Sequence, residues 1–326
     1  MDAVCAASAN EGVWSRVDPC SEFHRGVQKR RYDMGSYYEE CHNHDIMHWG
    51  WKADAIPSKC RYRFRTPREL QRRLQSKRLV FIGDVTILNL FQATCRALDE
   101  SNSVDLHNAQ TLQHSDARRV FNGNIHLEYK WAQFAFNDLS KLKSLRSNDN
   151  NNNKKVDVVV ISGGIFDKLH LSATDEDENS HKSAVEKLVS EMNALTGHGI
   201  SVVWVVPTIV NTQALGKKEK KDNMNEMVVN QMREKYASIG IEDAASFVLD
   251  GRQFTSGRVL ESVDGIQYPP SVYDAGAQIM ANAFDWLVDQ DTTTTTGGSG
   301  GGGYHHYAAT TVTTMEGLGN PYLGMM

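Results

Sequence analysis

Apolar positions along the chain fall into two alternating rhythms. Nearly uninterrupted β-branched and aliphatic runs occur at 79–82 (Leu79, Val80, Phe81, Ile82), at 156–161 (VDVVVI) and at 200–206 (ISVVWVV). Runs of this kind predict strands buried on both faces. The stretch 124–129 (NIHLEY) alternates apolar and polar, which predicts a strand with one covered face, and 245–249 predicts the last strand. Helical spacing lies between them. Ile87, Leu90, Phe91, Thr94 and Leu98 form one stripe, and Val272, Gly276, Ile279, Ala283, Phe284 and Leu287 form another within 271–288. Further helices are predicted at 131–142, 181–195 and 223–237. Thr66-Pro67-Arg68-Glu69 reads as a capping box with proline in the first turn, opening a helix that runs to about residue 77.

Strands and helices in alternation predict a three-layer α/β/α domain around a central, mostly parallel sheet. In such sheets, sites form at the carboxyl ends of the strands. Three segments belong there: the Gly83-Asp84 turn, the Ser162-Gly163-Gly164 turn and the loop 261–270 ahead of the last helix. The first 57 residues lack a sustained period and are dense in Trp, Tyr, His and Cys, so they read as an irregular wrapping segment. Residues 58–290 then form the domain, and 291–326, beginning DTTTTTGGSGGGG, a disordered low-complexity tail. The tract 147–155 (SNDNNNNKK) reads as a disordered insertion, and 99–119, 174–179 and 216–222 as polar or charged loops.

Composition changes this picture little. The chain has 326 residues, 40% of them hydrophobic, and a net charge of -5, which is room for a sizeable core and no particular partner. Basic residues concentrate at 59–78, either as a solvated helix face or as a patch for an anionic polymer. No apolar run approaches the roughly 18 residues that span a bilayer. The first residues are too short and polar for a signal peptide, which favours a soluble cytoplasmic protein. The cysteines argue otherwise. Cys20, Cys41 and Cys60 suit a disulfide-braced lead-in, Cys95 reads as a buried helix residue, and Cys5 is harder to place. Cys20, Cys41, His24, His42, His44 and His48 match no standard zinc spacing, so no metal and no cofactor is expected.

The candidate chemistry sits on the turn after the first strand. A strand that enters a helix through glycine aims the helix's first N–H groups at whatever lies above them. In acyl-transfer enzymes a nucleophile follows such a turn, whereas Val85 stands there in this chain. Thr86 is the nearest hydroxyl. His126, His170 and His198 are bases only in the sense that any histidine is.

FIGDVTILNL resembles the first block of the SGNH (GDSL-like) hydrolases, VDVVVISGGIFD their third, and SVDGIQYPPSVYDAGAQIMANAF their last. The lead-in W-x-x-x-x-x-P-x-x-C-x-Y-x-F is similar to the PC-esterase branch, which includes trichome-birefringence-like and sialate O-acetyltransferases. The resemblance implies carbohydrate acyl transfer. A serine attacks, an Asp-x-x-His pair activates it, and Gly83, Asp84, Thr86, Ser162, Gly163, Gly164 and Asp167 line the pocket or oxyanion site. Carried across, the serine position is Val85, the aspartate is Asp264 and the histidine position is Gln267. Ser162 stands where some members have asparagine, while Gly164 and Asp167 fit a glycine-x-aromatic-aspartate variant. A protein so altered is expected to be catalytically inactive and to bind a glycan, an acetylated polysaccharide or a protein partner. The alternatives are an active acetyltransferase or esterase with a rearranged site, and a module binding anionic polymer through 59–78. No nucleic acid is expected. The resemblance implies the Golgi or secretory pathway, with membrane attachment only through a segment not visible in this chain.

Overall fold

The computed structural model describes residues 3–17, 46–99, 115–147, 155–163, 165–170, 175–262 and 264–288. The chain opens with helix α1 (Ala3–Ser8) and strand β1 (Gly12–Val17), which pairs antiparallel with β2 (Ile46–Trp51). Part of the segment read as irregular is therefore regular. Its hairpin is held by tryptophan packing, Trp14 meeting Trp49 edge to face, which leaves no alternating pattern to read. The segment also covers the open edge of the main sheet. Asn10 accepts from Asp250 N at 2.8 Å and donates to Val248 O at 2.9 Å, taking the place of a neighbouring strand.

Cys5 is joined to Cys60, a pairing unlike the one expected from Cys20, Cys41 and Cys60. The bridge spans 55 residues, and closing a loop of that length stabilises the folded chain by about 4 kcal/mol. Cys95 is buried and free, as expected. His48 packs on Phe64 with ring centroids 5.0 Å apart. Cys20, Cys41, His24, His42, His44, Gly164, most of 147–155 and the tail from 291 lie outside the described residues.

Helix α2 (Pro67–Arg73) begins with the expected capping box. Thr66 N donates to Glu69 at 2.9 Å, and those bonds with nearby Arg63 hold the Glu69 carboxyl down at about 2. Strand β3 (Arg78–Gly83) and helix α3 (Val85–Leu98) follow, then β4 (Ala117–Phe121) and β5 (Ile125–Trp131). Three sheet-face residues of β4, Arg118, Arg119 and Val120, are exposed, so the strand has no apolar rhythm and its span reads as loop from sequence. Strand β5 runs two residues past its predicted end because Lys130 and Trp131 pair with Ile82 and Gly83. The next helix, α4 (Ala135–Ser147), starts correspondingly late.

Strand β6 (Val158–Ile161), helix α5 (Ile165–His170), helix α6 (Asp175–Gly197) and strand β7 (Ser201–Val206) complete the middle of the domain. The acidic stretch expected as a loop at 174–179 instead opens α6. The charged loop expected at 216–222 is largely α7 (Lys218–Asn223), a short helix with no buried side chain. Helix α8 (Glu226–Ile239), strand β8 (Phe247–Asp250), helix α9 (Gly251–Thr255) and helix α10 (Pro270–Leu287) close the fold.

The six-stranded sheet has the order β4-β5-β3-β6-β7-β8, and only β4 runs antiparallel to its neighbour. Alternate residues of β3 face opposite layers. Leu79 and Phe81 pack with α3 and α10, while Val80 and Ile82 pack with α4, α6 and α8. Every residue of β6 and β7 is buried, which accounts for their unbroken apolar runs. The three-layer α/β/α architecture expected from the sequence is thus the one observed. No described helix is long and apolar enough to cross a membrane.

Candidate functional site

The turn between β3 and α3 is built around a glycine that no other residue replaces easily. Gly83 has φ +152°, and a Cβ added there would lie 2.6 Å from Ile87 Cγ1 and 3.0 Å from the Ser162 carbonyl oxygen. That close approach brings the end of β6 against the start of α3. Asp84 then caps the helix, accepting from Thr86 N at 2.8 Å. Its carboxyl is buried, and burial pushes it up to about 6 despite that bond. Tyr129 on β5 donates toward the carbonyls of Gly83 and Asp84, at 3.0 and 3.2 Å, and so fixes the turn from below.

Val85, first residue of α3, is 9% exposed and presents an isopropyl group at the start of the helix. Thr86 is 2% exposed; its hydroxyl lies beside the Asp84 carboxyl without a well-directed hydrogen bond. No histidine among the described residues is hydrogen-bonded to it.

The 264–267 loop is a closed unit. Asp264 Oδ1 accepts from Ile266 N at 2.9 Å and Gln267 N at 2.7 Å, and Gln267 Nε2 donates to Asp264 Oδ2 at 2.9 Å. Gly265 is left-handed at φ +89°, with its carbonyl accepting from Asn211 N at 2.9 Å. Asn211 also donates through Nδ2 to Ser262 O at 3.0 Å. Asn211 follows β7, so the loop is tied to the carboxyl edge of the sheet, the edge that holds Gly83. Tyr273 of α10 is buried, and burial raises its phenol, with smaller contributions from Asp84 and Asp264. The buried Arg233 steadies this edge from the other layer. It donates to Pro207 O and Thr208 O at 3.0 and 2.6 Å and pairs with Glu226 at 2.7 Å.

The third predicted segment divides. Ser162 is buried and abuts the Gly83 turn, and its N–H donates to Ile82 O at 3.4 Å. Gly163 leaves room for Asp138, whose Oδ2 would lie 2.6 Å from a Cβ there. Asp167 points away, into the layer of α4, α6 and α8. It accepts from Ala135 N at 3.2 Å and lies 3.7 Å from His181 Nδ1, while His181 Nε2 meets Tyr236 Oη at 3.0 Å. Asp138 is fully buried with neither carboxylate oxygen hydrogen-bonded; burial first, then Asp167 and Asp84, push its pKa well up.

Sequence reading missed Tyr129, Tyr273, Asn211, Asp138, His181 and Tyr236. Apart from Tyr273, which lies within the last quoted block as a helix residue, none falls in a recognisable motif, and only the topology brings each to its partners. It also named bases that the fold displaces. His126 pairs with Arg78 at the amino end of β3, and His198 follows α6 at that same edge, so both stand at the wrong end of the sheet. The side chain of His170 lies outside the described residues. Among the described residues no group of three or more His, Cys, Asp or Glu is arranged to hold a metal.

No protein-family model matches the chain. Among curated proteins it is similar to Protein ALTERED XYLOGLUCAN 9 of Arabidopsis thaliana, 22% identical over 268 residues, covering 73% of this chain and 68% of that protein. Solved structures similar to it include a GDSL-like lipase from Bacteroides thetaiotaomicron, with 12% identity, 64% of this chain and 88% of that one covered, and a TM-score of 0.40. Another is the acetylxylan esterase Axe2 from Geobacillus stearothermophilus, at 15% identity, 66% and 95% coverage and a TM-score of 0.36. The chain resembles the SGNH hydrolases and their PC-esterase branch.

Proposed function

We propose that this chain is a PC-esterase-like protein that keeps the acyl-transfer pocket, lacks the groups that run the reaction, and uses the pocket to bind an acetylated polysaccharide. The observation that carries the reading is the hydrogen bond from Gln267 Nε2 to Asp264 Oδ2 at 2.9 Å. In an Asp-x-x-His pair the imidazole donates to the aspartate through one nitrogen and takes a proton on the other. The glutamine amide reproduces the first half. It has no basic atom for the second, because an amide does not bind a proton near pH 7. Val85 has no lone pair with which to attack an acetyl carbon. Nucleophile and base act as a unit, so losing both costs little more rate than losing one.

Geometry supports a binding role at the same place. The positively polarised start of α3, the Gly83 turn and the 264–267 loop share one edge of the sheet, and Val85 replaces a reactive hydroxyl with an apolar surface suited to an acetyl methyl. A working site rearranged around another histidine gains no support from His126 or His198, which lie at the opposite edge. Localisation follows from different evidence. The Cys5–Cys60 disulfide persists in an oxidising compartment, which favours the secretory pathway over the cytoplasm.

Calorimetric titration with an O-acetylated xylo-oligosaccharide and its deacetylated counterpart tests this reading. Saturable binding is expected, tighter for the acetylated form. It should weaken at least tenfold in Val85→Phe and in the half-buried Gln267→Lys, each checked for an unchanged melting temperature. Equal binding of the two ligands, or no binding by either, would overturn it.

A further inference from the structure

At the other edge of the sheet, α2 and the β4–β5 turn enclose a cleft of about 480 Å³ lined by Arg68, Gln71, Arg72, Gln75, Asn122 and Asn124. We propose that this cleft binds an oligosaccharide bearing carboxylate or sulfate groups, independently of the carboxyl-edge pocket.

The walls are built, not incidental. Asn122 is in the left-handed region at φ +48°. Its Nδ2 donates to Gln71 Oε1 at 2.7 Å, and Gln71 Nε2 donates in turn to Leu98 O at 2.7 Å. That chain of amides fixes the floor between the turn and α2. It also leaves the Asn122 amide oxygen and Gln75 as lining groups that donate to or accept from sugar hydroxyls.

Charge selects the ligand class. The basic stretch 59–78 is mostly committed within the protein. Lys77 pairs with Asp157 at 3.0 Å, Arg78 with Glu128 at 3.0 Å and Arg63 with Glu69 at 2.6 Å, while Arg65 and Arg73 share Asp285. Arg72 differs. It is exposed, its Nε reaches Arg68 O at 3.4 Å, and among the described residues it forms no ion pair. It also borders a second cleft of about 350 Å³ that contains Arg63, Arg65 and Arg73. A guanidinium on the ridge between two clefts, with no carboxylate among the described residues lining the first, matches the planar geometry of a carboxylate or sulfate. No aromatic ring among the described residues lines the first cleft, so bases have no stacking platform and single-stranded nucleic acid is disfavoured.

Fluorescence titration of the full chain tests the proposal with a galacturonic acid hexamer, a heparin-type sulfated hexasaccharide, neutral xylohexaose and a single-stranded oligonucleotide. At low salt at least one acidic sugar should bind ten times more tightly than xylohexaose, and which one it is tells carboxylate from sulfate recognition. Arg72→Glu should abolish that preference, and Arg72→Lys should keep part of it by charge without the fork. Both should leave the melting temperature unchanged, and Val85→Phe should leave acidic-sugar binding unchanged. The proposal falls if no acidic sugar binds, if xylohexaose or the oligonucleotide binds as tightly, or if Arg72→Glu has no effect. Loss of binding in Val85→Phe would also overturn it, by assigning the ligand to the other edge.

Discussion

The two edges of the sheet handle polar groups in opposite ways. At the carboxyl edge the groups are turned inward and matched to the backbone: Asp84 caps α3, Asp264 gathers the N–H groups of its own turn, and Tyr129 holds two turn carbonyls. At the amino edge they are ionised, partly exposed and matched to one another, as Arg78 is to Glu128 and Lys77 to Asp157. Under the proposed function, the contrast would let the framework of the turns outlast its chemistry. Gly83, Asp84, Asp264 and Gly265 each have a structural duty that ends if they are replaced. Gln267 shares that duty, since both its N–H and its side-chain amide donate to Asp264, whereas the Val85 side chain makes no polar contact.

Substitution at the carboxyl edge should therefore cost folding energy. The largest loss is expected for Gly83→Ala. The new methyl meets Ile87 and the Ser162 carbonyl in a backbone region rarely open to alanine, so urea denaturation should show a loss of about 3 kcal/mol. A loss under about 1 kcal/mol would mean the turn relaxes freely and the claimed rigidity is absent.

Asp84→Asn should act in the other direction and only above a certain pH. The carboxyl titrates at 3.8 unfolded and about 6 folded, so the folded chain binds its proton more tightly. The stability this confers is complete below about pH 4 and is lost as pH rises through 6, a total of about 3 kcal/mol. Asparagine also caps helices and carries no charge to bury. At pH 8 the variant should be the more stable by about 2 kcal/mol, and at pH 4 the two should agree. A variant less stable at pH 8 would show that the ionised carboxylate is welcome at this turn, unlike an acid kept for its cap alone.

The parallel strands were legible because burial on both faces leaves an unbroken apolar run, as in 158–161 and 201–206. The capping box at Thr66 was legible because its two bonds are local. Strand β4 was not, since Arg118, Arg119 and Val120 face solvent and its pairing with β5 alone makes it a strand. The hairpin of β1 and β2 was hidden for a related reason. Twenty-eight residues lie between Val17 and Ile46, and the register is set by contacts across that gap. Within the site, the glycine turns and Asp264 could be read from short motifs. Tyr129 and Asn211 could not, because each reaches its turn from a different part of the chain. His181 was overlooked for the same reason: Asp167 and Tyr236, its partners, come from separate helices.

The central proposal is that an acyl-transfer framework here lacks an attacking group at Val85 and a proton acceptor at Gln267. The most direct measurement is acetate release from an O-acetylated xylo-oligosaccharide by the purified wild-type chain, beside the Val85→Ser/Gln267→His double variant. The account predicts release at the buffer rate for the wild type and a rate clearly above it for the double variant. Wild-type turnover that disappears on Asp264→Ala, in a variant with an unchanged melting temperature, would contradict it.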